Sequence, residues 1–325
     1  MGGALAALAL GGGRSAGAAS CEEPKAAPTA SAVDKLFPGF KQRVIQANGQ
    51  SINTLVGGNG PPLLLMHGHP QSAVCFHKIA AALAQHYTLV LPDLRGYGDS
   101  SKPVGDEKHL NYSKRQMAKD QVEVMRSLGF EKFQAAGHDR GGRVLHRMAL
   151  DYPEAVERVA MMDIAPTATM YAKADKEFAT KYFWWFFNIQ PSPLPETLIG
   201  NNLEFYLQTH LTKQNKTPGA ITPEAMAEYR RCYTHEMVHA VMEDYRAAAT
   251  IDLVHDAEDA HKRIQAPLMA IWGDKGVVGK TYDVLQTWRD KAVDVRGGTI
   301  PCGHYLAEEA PNETTHAFLS FFRTT

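Results

Sequence analysis

The sequence is poor in cysteine, nearly free of net charge and without a long apolar run. Its four cysteines lie far apart and form no CxxC pair, which argues against a zinc site or a disulfide framework. The chain carries 34 Lys+Arg against 35 Asp+Glu, whereas a nucleic-acid or anionic-membrane binder would show a basic excess. No apolar run approaches the roughly 20 residues of a membrane span. These absences leave an ordinary globular composition and argue against nucleic acid or a membrane as the partner.

The N-terminal part of the chain has a composition of its own. It is rich in Ala and Gly, and no acidic residue precedes Glu22. We assign residues 1–34 to an extension outside the folded core, which is either a targeting segment or disordered. The predicted location of the protein is the cytoplasm, with targeting as the open alternative.

From residue 35 onward, short apolar runs alternate with helical patterns. The runs cover residues 61–66, 87–93, 133–137, 159–163 and 267–274. Continuous apolar runs are typical of strands buried on both faces, and alternation with helices predicts a parallel sheet. In such sheets the ligand site lies at the carboxyl ends of the strands. Polar residues follow the predicted strands at that edge: His69, Asp93, Asp139, Asp163 and Asp274.

Residues 166–253 interrupt this alternation. The segment is rich in aromatic residues, then in turn residues, and shows no convincing strand pattern. We predict an α/β fold whose core comprises residues 35–165 and 254–325, with a mostly parallel central sheet. Residues 166–253 would form a helical cap inserted over the strand ends, where it shapes a pocket and excludes water.

The most informative motif is Gly-His-Asp-Arg-Gly at residues 137–141. It fits the strand–turn–helix pattern of a nucleophile elbow, with Asp139 in the nucleophile position. A carboxylate nucleophile forms an ester with carbon. The backbone N–H groups of His69 and Arg140 are the predicted oxyanion donors, and the His69 side chain is expected to line the entrance. The alternative is that Asp139 only caps the following helix.

His304 is the predicted general base. It follows the last predicted strand, residues 293–300, and hydrolases of this architecture place the histidine after the nucleophile and the acid. Imidazole can take a proton from water near neutral pH. The acid that orients it is Asp163 or Asp274, because each follows a core strand and either could reach the histidine.

Two arginines occupy an electrostatically unfavourable place. Arg140 and Arg143 fall in the first turn of the helix after the elbow, where cations oppose the helix dipole. They are three residues apart and share a helix face, so together they could hold a substrate carboxylate. The alternatives are surface salt bridges or support for Asp139 alone.

Several motifs together give the chain from about residue 36 onward a family resemblance. They are HGHPQ at 67–71, DLRGYGDS at 93–100, GHDRGGR at 137–143, MDIAPT at 162–167, DYRA at 244–247 and GH at 303–304. The chain resembles α/β hydrolases of the haloacetate (fluoroacetate) dehalogenase family.

The resemblance implies a reaction and the residues that perform it. Asp139 would displace halide from a 2-halo acid such as haloacetate, and water activated by His304 would hydrolyse the aspartyl ester to a 2-hydroxy acid such as glycolate. Asp163 would orient His304, and Arg140 and Arg143 would hold the substrate carboxylate. The resemblance further implies a homodimer and no metal or organic cofactor.

One departure from the family bears on the halide. Family members that cleave fluoroacetate hold fluoride with a His-Trp pair in the cap and a Tyr further along. Trp185 and Tyr245 match the Trp and Tyr, but Trp184 stands where the His is expected. Fluoride departure requires good hydrogen-bond donors. We therefore expect chloro- and bromoacetate to be better substrates than fluoroacetate, with Trp184 either in the halide site or in simple packing.

Two other functions fit parts of the pattern. An epoxide hydrolase would use the same Asp139 and His304, with Tyr245 and Tyr182 protonating the epoxide oxygen. The arginine pair argues against it, since a neutral epoxide offers buried guanidinium groups no anion. A non-catalytic ligand receptor could share the scaffold, but it would not need the complete set of nucleophile, base and acid.

Overall fold

The computed structural model describes residues 32–323 of the chain. Most of the predicted extension, and with it any targeting segment, therefore lies outside the described residues. The first described element is the short helix α1 (Ala32–Leu36). Among the helices of residues 32–323, none is both long and apolar enough to cross a membrane.

An eight-stranded sheet forms the centre of the described chain. In chain order the strands are β1 (Lys41–Ala47), β2 (Gln50–Gly58), β3 (Pro62–Met66), β4 (Thr88–Pro92), β5 (Phe133–His138), β6 (Val156–Met162), β7 (Leu268–Gly273) and β8 (Val295–Ile300). Their spatial order is β1-β2-β4-β3-β5-β6-β7-β8. Only the pairings of β2 with β1 and β4 are antiparallel. The prediction of a mostly parallel α/β sheet is confirmed.

Burial explains which strands could be predicted. The central strands are buried on both faces, and in β5 every residue is buried, so each appears as an apolar run. In β1 four successive residues from Lys41 are exposed. Because β1 has no apolar run, the sequence did not predict the antiparallel part of the sheet that β1 and β2 form.

Helices flank the sheet on both sides. Those before the interruption are α2 (His77–Leu83), α3 (Lys114–Ser127) and α4 (Arg140–Asp151), with short 3-10 turns at Ala73–Phe76 and Leu110–Tyr112. The later ones are α13 (Val278–Thr281), α14 (Val284–Arg289), α15 (Leu306–Glu309) and α16 (Pro311–Phe322). Ser113 caps α3 by accepting the Gln116 N–H, and Gly129 follows the end of this helix with φ +87°.

Between β6 and β7 the chain forms eight helices and no strand. They are α5 (Thr167–Ala172), α6 (Lys176–Lys181), α7 (Trp184–Phe187), α8 (Leu194–Gly200), α9 (Leu203–Gln214), α10 (Pro223–Cys232), α11 (His235–Ala249) and α12 (Ile251–Glu258). We call residues 167–258 the helical segment. Its helical content agrees with the sequence pattern, and its last helix extends to Glu258, beyond the predicted boundary at 253.

A buried carboxyl joins the core to the helical segment. Glu308 in α15 is 1% exposed and accepts hydrogen bonds from Gln71 Nε2 at 2.5 Å and from the hydroxyl of Tyr229 at 3.1 Å. Burial raises the pKa of Glu308 to about 8 from an ordinary value of 4.5. The folded protein therefore holds a proton that the unfolded chain releases between these two values.

We expect Glu308→Gln to make the protein more stable than the wild type at pH 8 but not at pH 4.5. A carboxyl whose pKa is raised by folding lowers stability as pH rises through this window, by about 1.4 kcal/mol per pH unit. The neutral amide removes that loss and keeps an acceptor for Gln71. Thermal unfolding of both proteins at several pH values measures the difference, and melting curves that shift in parallel would contradict the prediction.

Candidate active site

The chain turns sharply at Asp139, between β5 and α4. Its backbone angles are φ 46° and ψ −113°, a region that costs a non-glycine residue conformational energy. The turn also needs glycine on either side, because a Cβ on Gly137 would lie 2.5 Å from the Gly141 carbonyl oxygen and one on Gly141 2.4 Å from that of His67. The Asp139 side chain makes no capping bond to α4. Oδ1 instead accepts the backbone N–H of His69 at 2.9 Å, which leaves Oδ2 for another contact.

Asp139, Asp163 and His304 come together at the carboxyl ends of β5, β6 and β8. His304 Nε2 lies 3.9 Å from Asp139 Oδ2, and His304 Nδ1 lies 2.5 Å from Asp163 Oδ2. Asp163 Oδ1 accepts the Gly273 N–H at 3.0 Å. Asp274 is exposed beyond the end of β7. Within residues 32–323 the carboxylate in contact with His304 Nδ1 is therefore that of Asp163, not that of Asp274.

The charges of this triad suit a nucleophile and a base. Burial alone would raise the pKa of the Asp139 carboxyl, but positive charge at His304 and Arg143 outweighs it and holds the pKa well below its usual range. Burial would lower the pKa of His304, but the hydrogen bond and charge of Asp163 raise it above its ordinary value. Asp139 is therefore ionised at neutral pH, and His304 is a strengthened proton acceptor.

Glu309 holds the loop that carries His304. Its carboxylate accepts the backbone N–H groups of Gly303 and Tyr305, each at 2.9 Å. It also accepts the N–H of Lys216, from the helical segment, at 2.8 Å. The position of the histidine is thereby tied both to the core and to the helices above it.

Arg140 is fully buried and paired with an acid that sequence analysis did not assign to the site. Its Nε and Nη2 donate to the two carboxylate oxygens of Asp244 at 2.8 and 2.7 Å. Asp244 also contacts Lys114 and accepts the Tyr97 hydroxyl at 2.7 Å. The bidentate face of Arg140 is thus occupied by Asp244, and Nη1 is left buried without a hydrogen-bond partner.

Arg143 is buried without a carboxylate partner in the described chain. Its Nη1 donates to the Thr167 hydroxyl at 2.9 Å and the Ala165 carbonyl at 3.2 Å, while Nε has no partner. Burial and the neighbouring charge of Arg140 lower the pKa of Arg143. Neither arginine forms a surface salt bridge, so that alternative is wrong.

Two of the three predicted halide residues lie beside the arginines. The Arg143 guanidinium stands 4.6 Å above the Trp185 ring and that of Arg140 4.2 Å above the Tyr245 ring. The two rings are 6.4 Å apart. Trp184 packs elsewhere, with its ring 4.5 Å from that of His210.

The His69 side chain does not line the entrance as expected. It is 1% exposed, and neither ring nitrogen has a hydrogen-bond partner. Burial lowers its pKa to about 3, so the ring is neutral. It packs 4.7 Å from His210 and 5.8 Å from Tyr245. His210 belongs to no motif, and no sequence signal could have placed it here.

A cavity of about 270 Å³ opens beside His304. It reaches His304 and is bordered by Tyr182 and Trp184 of the helical segment. Within residues 32–323, no three His, Cys, Asp or Glu side chains are grouped so that they could hold a metal ion.

Comparison with known proteins agrees with the fold. Residues 61–311 match the family model of the α/β hydrolase fold. A fluoroacetate dehalogenase from Burkholderia sp is 40% identical over 88% of this chain and 95% of its own. A soluble epoxide hydrolase from Corynebacterium sp. (strain C12) is 33% identical over 85% and 94%. A solved α/β-hydrolase structure from Nostoc sp PCC 7120 is 54% identical, with a TM-score of 0.87 over 88% and 99%.

Fold and site together define a hydrolase of the α/β class. Within that superfamily the chain belongs to the haloacetate dehalogenase family.

Proposed function

We propose that the protein hydrolyses haloacetate, or a related 2-halo acid, to the 2-hydroxy acid and halide through an ester at Asp139. The observation that carries this proposal is a pair of orphaned donors. Arg140 Nη1 and Arg143 Nε are buried beside the nucleophile without partners. Leaving charged donors unsatisfied is costly, so a site that does so is suited to a small anion that enters from solvent. A substrate carboxylate supplies that anion.

The first step is displacement at carbon. Asp139 Oδ2 attacks the halogen-bearing carbon, the carbon–halogen bond breaks, and halide leaves with the electron pair. Oδ1 keeps its hydrogen bond from the His69 N–H, which orients the carboxylate for attack through the other oxygen. The arginines hold the substrate carboxylate, so the carbon is presented to Oδ2 in a fixed orientation.

The second step is hydrolysis of the ester. His304 Nε2 takes a proton from water, and the hydroxyl adds to the Asp139 carboxyl carbon. The negative charge that develops on Oδ1 is stabilised by the N–H groups of His69 and Arg140. Asp163 stabilises the imidazolium through Nδ1. Collapse breaks the bond to the alkoxide oxygen, which receives the proton from His304, and the 2-hydroxy acid leaves.

In this proposal the helical segment acts as the cap of the site. It supplies Trp184, Trp185 and Tyr245, and its Asp244 is paired with Arg140 of the core. Trp185 and Tyr245 border the arginines and are the proposed halide neighbours, with Trp184 further away beside His210. A cap that covers the carboxylate and the ester excludes competing water. The homodimer implied by the family stays a prediction, which light scattering of the purified protein checks.

Halide release from fluoro-, chloro- and bromoacetate, followed by ion chromatography, tests the proposal. We expect release of chloride and bromide, with fluoride slower, because Trp184 replaces an imidazole donor and fluoride needs strong hydrogen bonds to depart. Fluoride release faster than chloride would contradict the halide assignment. No release from any of the three would contradict the proposed reaction.

Arg143→Gln should weaken the use of anionic substrates selectively. We expect kcat/KM for chloroacetate to fall by about 10- to 100-fold, the range of a lost charge-assisted hydrogen bond. For chloroacetamide, which has no carboxylate, the same variant should lose little. Steady-state kinetics with the two substrates gives the comparison, and equal losses for both would show that Arg143 only supports the fold of the site.

An epoxide hydrolase is the second candidate. The rings of Tyr182 and Tyr245 lie 6.5 and 6.4 Å from the Trp185 ring, so two phenols lie near this part of the site. The Corynebacterium relative is a soluble epoxide hydrolase. Diol formation from styrene oxide, without halide release from haloacetates, would favour this function.

A further inference from the structure

A cluster of cations borders the opening beside His304, whose Nε2 lies 3.9 Å from Asp139 Oδ2. Five of the eleven residues that line the 270 Å³ cavity are lysines, and none is Asp or Glu. They are Lys181, Lys213, Lys216, Lys275 and Lys280. The whole chain has a formal charge of −1, so this positive charge is a local concentration. We call these five residues the lysine ring.

The lysine ring is assembled by the fold and not by a basic run in the sequence. Lys181 ends α6, Lys213 lies in the last turn of α9, and Lys216 follows α9. Lys275 follows β7, and Lys280 lies in α13. The helical segment and the core thus each contribute cations to the same opening, and His304 lines this opening as well.

Among the described residues, only one lysine of the ring forms a salt bridge. Lys181 pairs with Glu177. The other ammonium groups contact backbone carbonyls or rings: Lys216 donates to the Lys213 carbonyl at 2.6 Å, and Lys213 stands 5.4 Å above the Trp184 ring. Carbonyl oxygens and aromatic rings orient an ammonium group but do not neutralise it. Four of the five lysines therefore form no salt bridge within residues 32–323, and all four are exposed.

We propose that the lysine ring is an electrostatic funnel that draws carboxylate substrates towards Asp139, an inference that rests on the proposed function. A cleft lined by charge of one sign concentrates its field and raises the association rate of opposite charges by roughly 10- to 1,000-fold. Long, exposed ammonium groups hold no fixed geometry, and Arg140 and Arg143 already provide for a single carboxylate. The ring therefore acts on the approach of the substrate and not on the chemical steps.

Charge reversal tests the funnel in the intact protein. We expect Lys213→Glu/Lys280→Glu to lower kcat/KM for chloroacetate about tenfold at low ionic strength, with kcat unchanged. Lys213→Arg/Lys280→Arg keeps the charge and should keep the rate. Lys132→Glu is the control. Lys132 is exposed and directly precedes β5, so it lies at the N-terminal end of the strand whose carboxyl end leads to Asp139.

The same variants are also compared at different salt concentrations and with a neutral substrate. The loss should shrink as salt is added, because the Debye length falls from about 30 Å at 0.01 M to about 8 Å at 0.15 M. Turnover of chloroacetamide should not respond to either variable. A loss that is independent of salt, that affects kcat, or that appears equally with Lys132→Glu would overturn the proposal.

A readout without turnover separates the funnel from the reaction. Trp272 is partly exposed, and its ring lies against Gly279, the residue before Lys280. Iodide should quench the fluorescence contribution of Trp272, identified by comparison with Trp272→Phe, more strongly in the wild type than in Lys213→Glu/Lys280→Glu. Acrylamide, which is neutral, should quench both equally. If no haloacetate is cleaved but iodide shows this difference, the proposed function fails and the funnel stands. Equal iodide quenching would overturn the funnel.

Discussion

Asp139→Asn should lower halide release from chloroacetate by roughly 10⁴-fold or more, the scale on which loss of a catalytic nucleophile acts. An amide has no charged oxygen with which to displace halide. The other carboxylate beside the arginines, that of Asp244, is already engaged by Arg140, Lys114 and the Tyr97 hydroxyl. The geometry around Oδ1 should survive, since the amide oxygen can still accept the His69 N–H. Ion chromatography with a long incubation measures the residual rate.

Asp274→Asn is the matched control for this variant. Asp274 also follows a core strand at the same edge of the sheet, but it is exposed. We expect its variant to release halide at nearly the wild-type rate, whereas Asp163→Asn should be strongly impaired. A collapse in Asp274→Asn, with Asp163→Asn spared, would reverse the assignment of the residue that orients His304. Unimpaired release by Asp139→Asn would remove Asp139 as the nucleophile.

His304→Ala should stop the reaction after the first step. Displacement of halide does not require the base, whereas hydrolysis of the ester does. We expect one equivalent of halide per chain and an intact mass increased by a carboxymethyl group on Asp139. Peptide mapping by mass spectrometry locates the adduct, and Asp139→Ala/His304→Ala should show neither the adduct nor the halide.

The same variant separates catalysis from mere binding. A non-catalytic receptor would bind chloroacetate equally well with and without His304 and would acquire no covalent mass. In the wild type, a single turnover in ¹⁸O-labelled water should label the Asp139 carboxylate, because water adds to its carboxyl carbon. Label found only in the glycolate would indicate direct attack of water on the substrate and would contradict the ester.

The parts of the site that could be predicted from sequence are those that strand ends bring together. Asp139 and Asp163 each follow a buried apolar run, and His304 follows the strand predicted at residues 293–300. The parallel sheet places the carboxyl ends of these strands together. The choice between Asp163 and Asp274 could not be made in this way, because both satisfy that rule. It depends on where each side chain points, and Asp163 turns inward at a residue with φ 50° while Asp274 faces solvent.

Contacts between distant segments could not be predicted. The pairing of Arg140 with Asp244 joins residues 104 positions apart. No local sequence pattern indicates that these two residues meet. The lysine ring is scattered over about 100 positions for the same reason. Local patterns identify elements and turns, whereas partners across the interface between core and helices appear only when the chain is folded.

The pairing of Arg140 with Asp244 has a consequence for engineering by segment exchange. Asp244 belongs to the helical segment, while Arg140 and Lys114, its two cationic partners, belong to the core. A chimera that receives a foreign helical segment without an acid at position 244 would leave Arg140 buried and unpaired, at a cost of about 3–5 kcal/mol. Lys114 would keep only Asp252, whose carboxylate lies 3.5 Å from its ammonium group. A chimera of two relatives should therefore fold well only when both parents carry these three charges. Residues 114, 140 and 244 have to be exchanged or kept together.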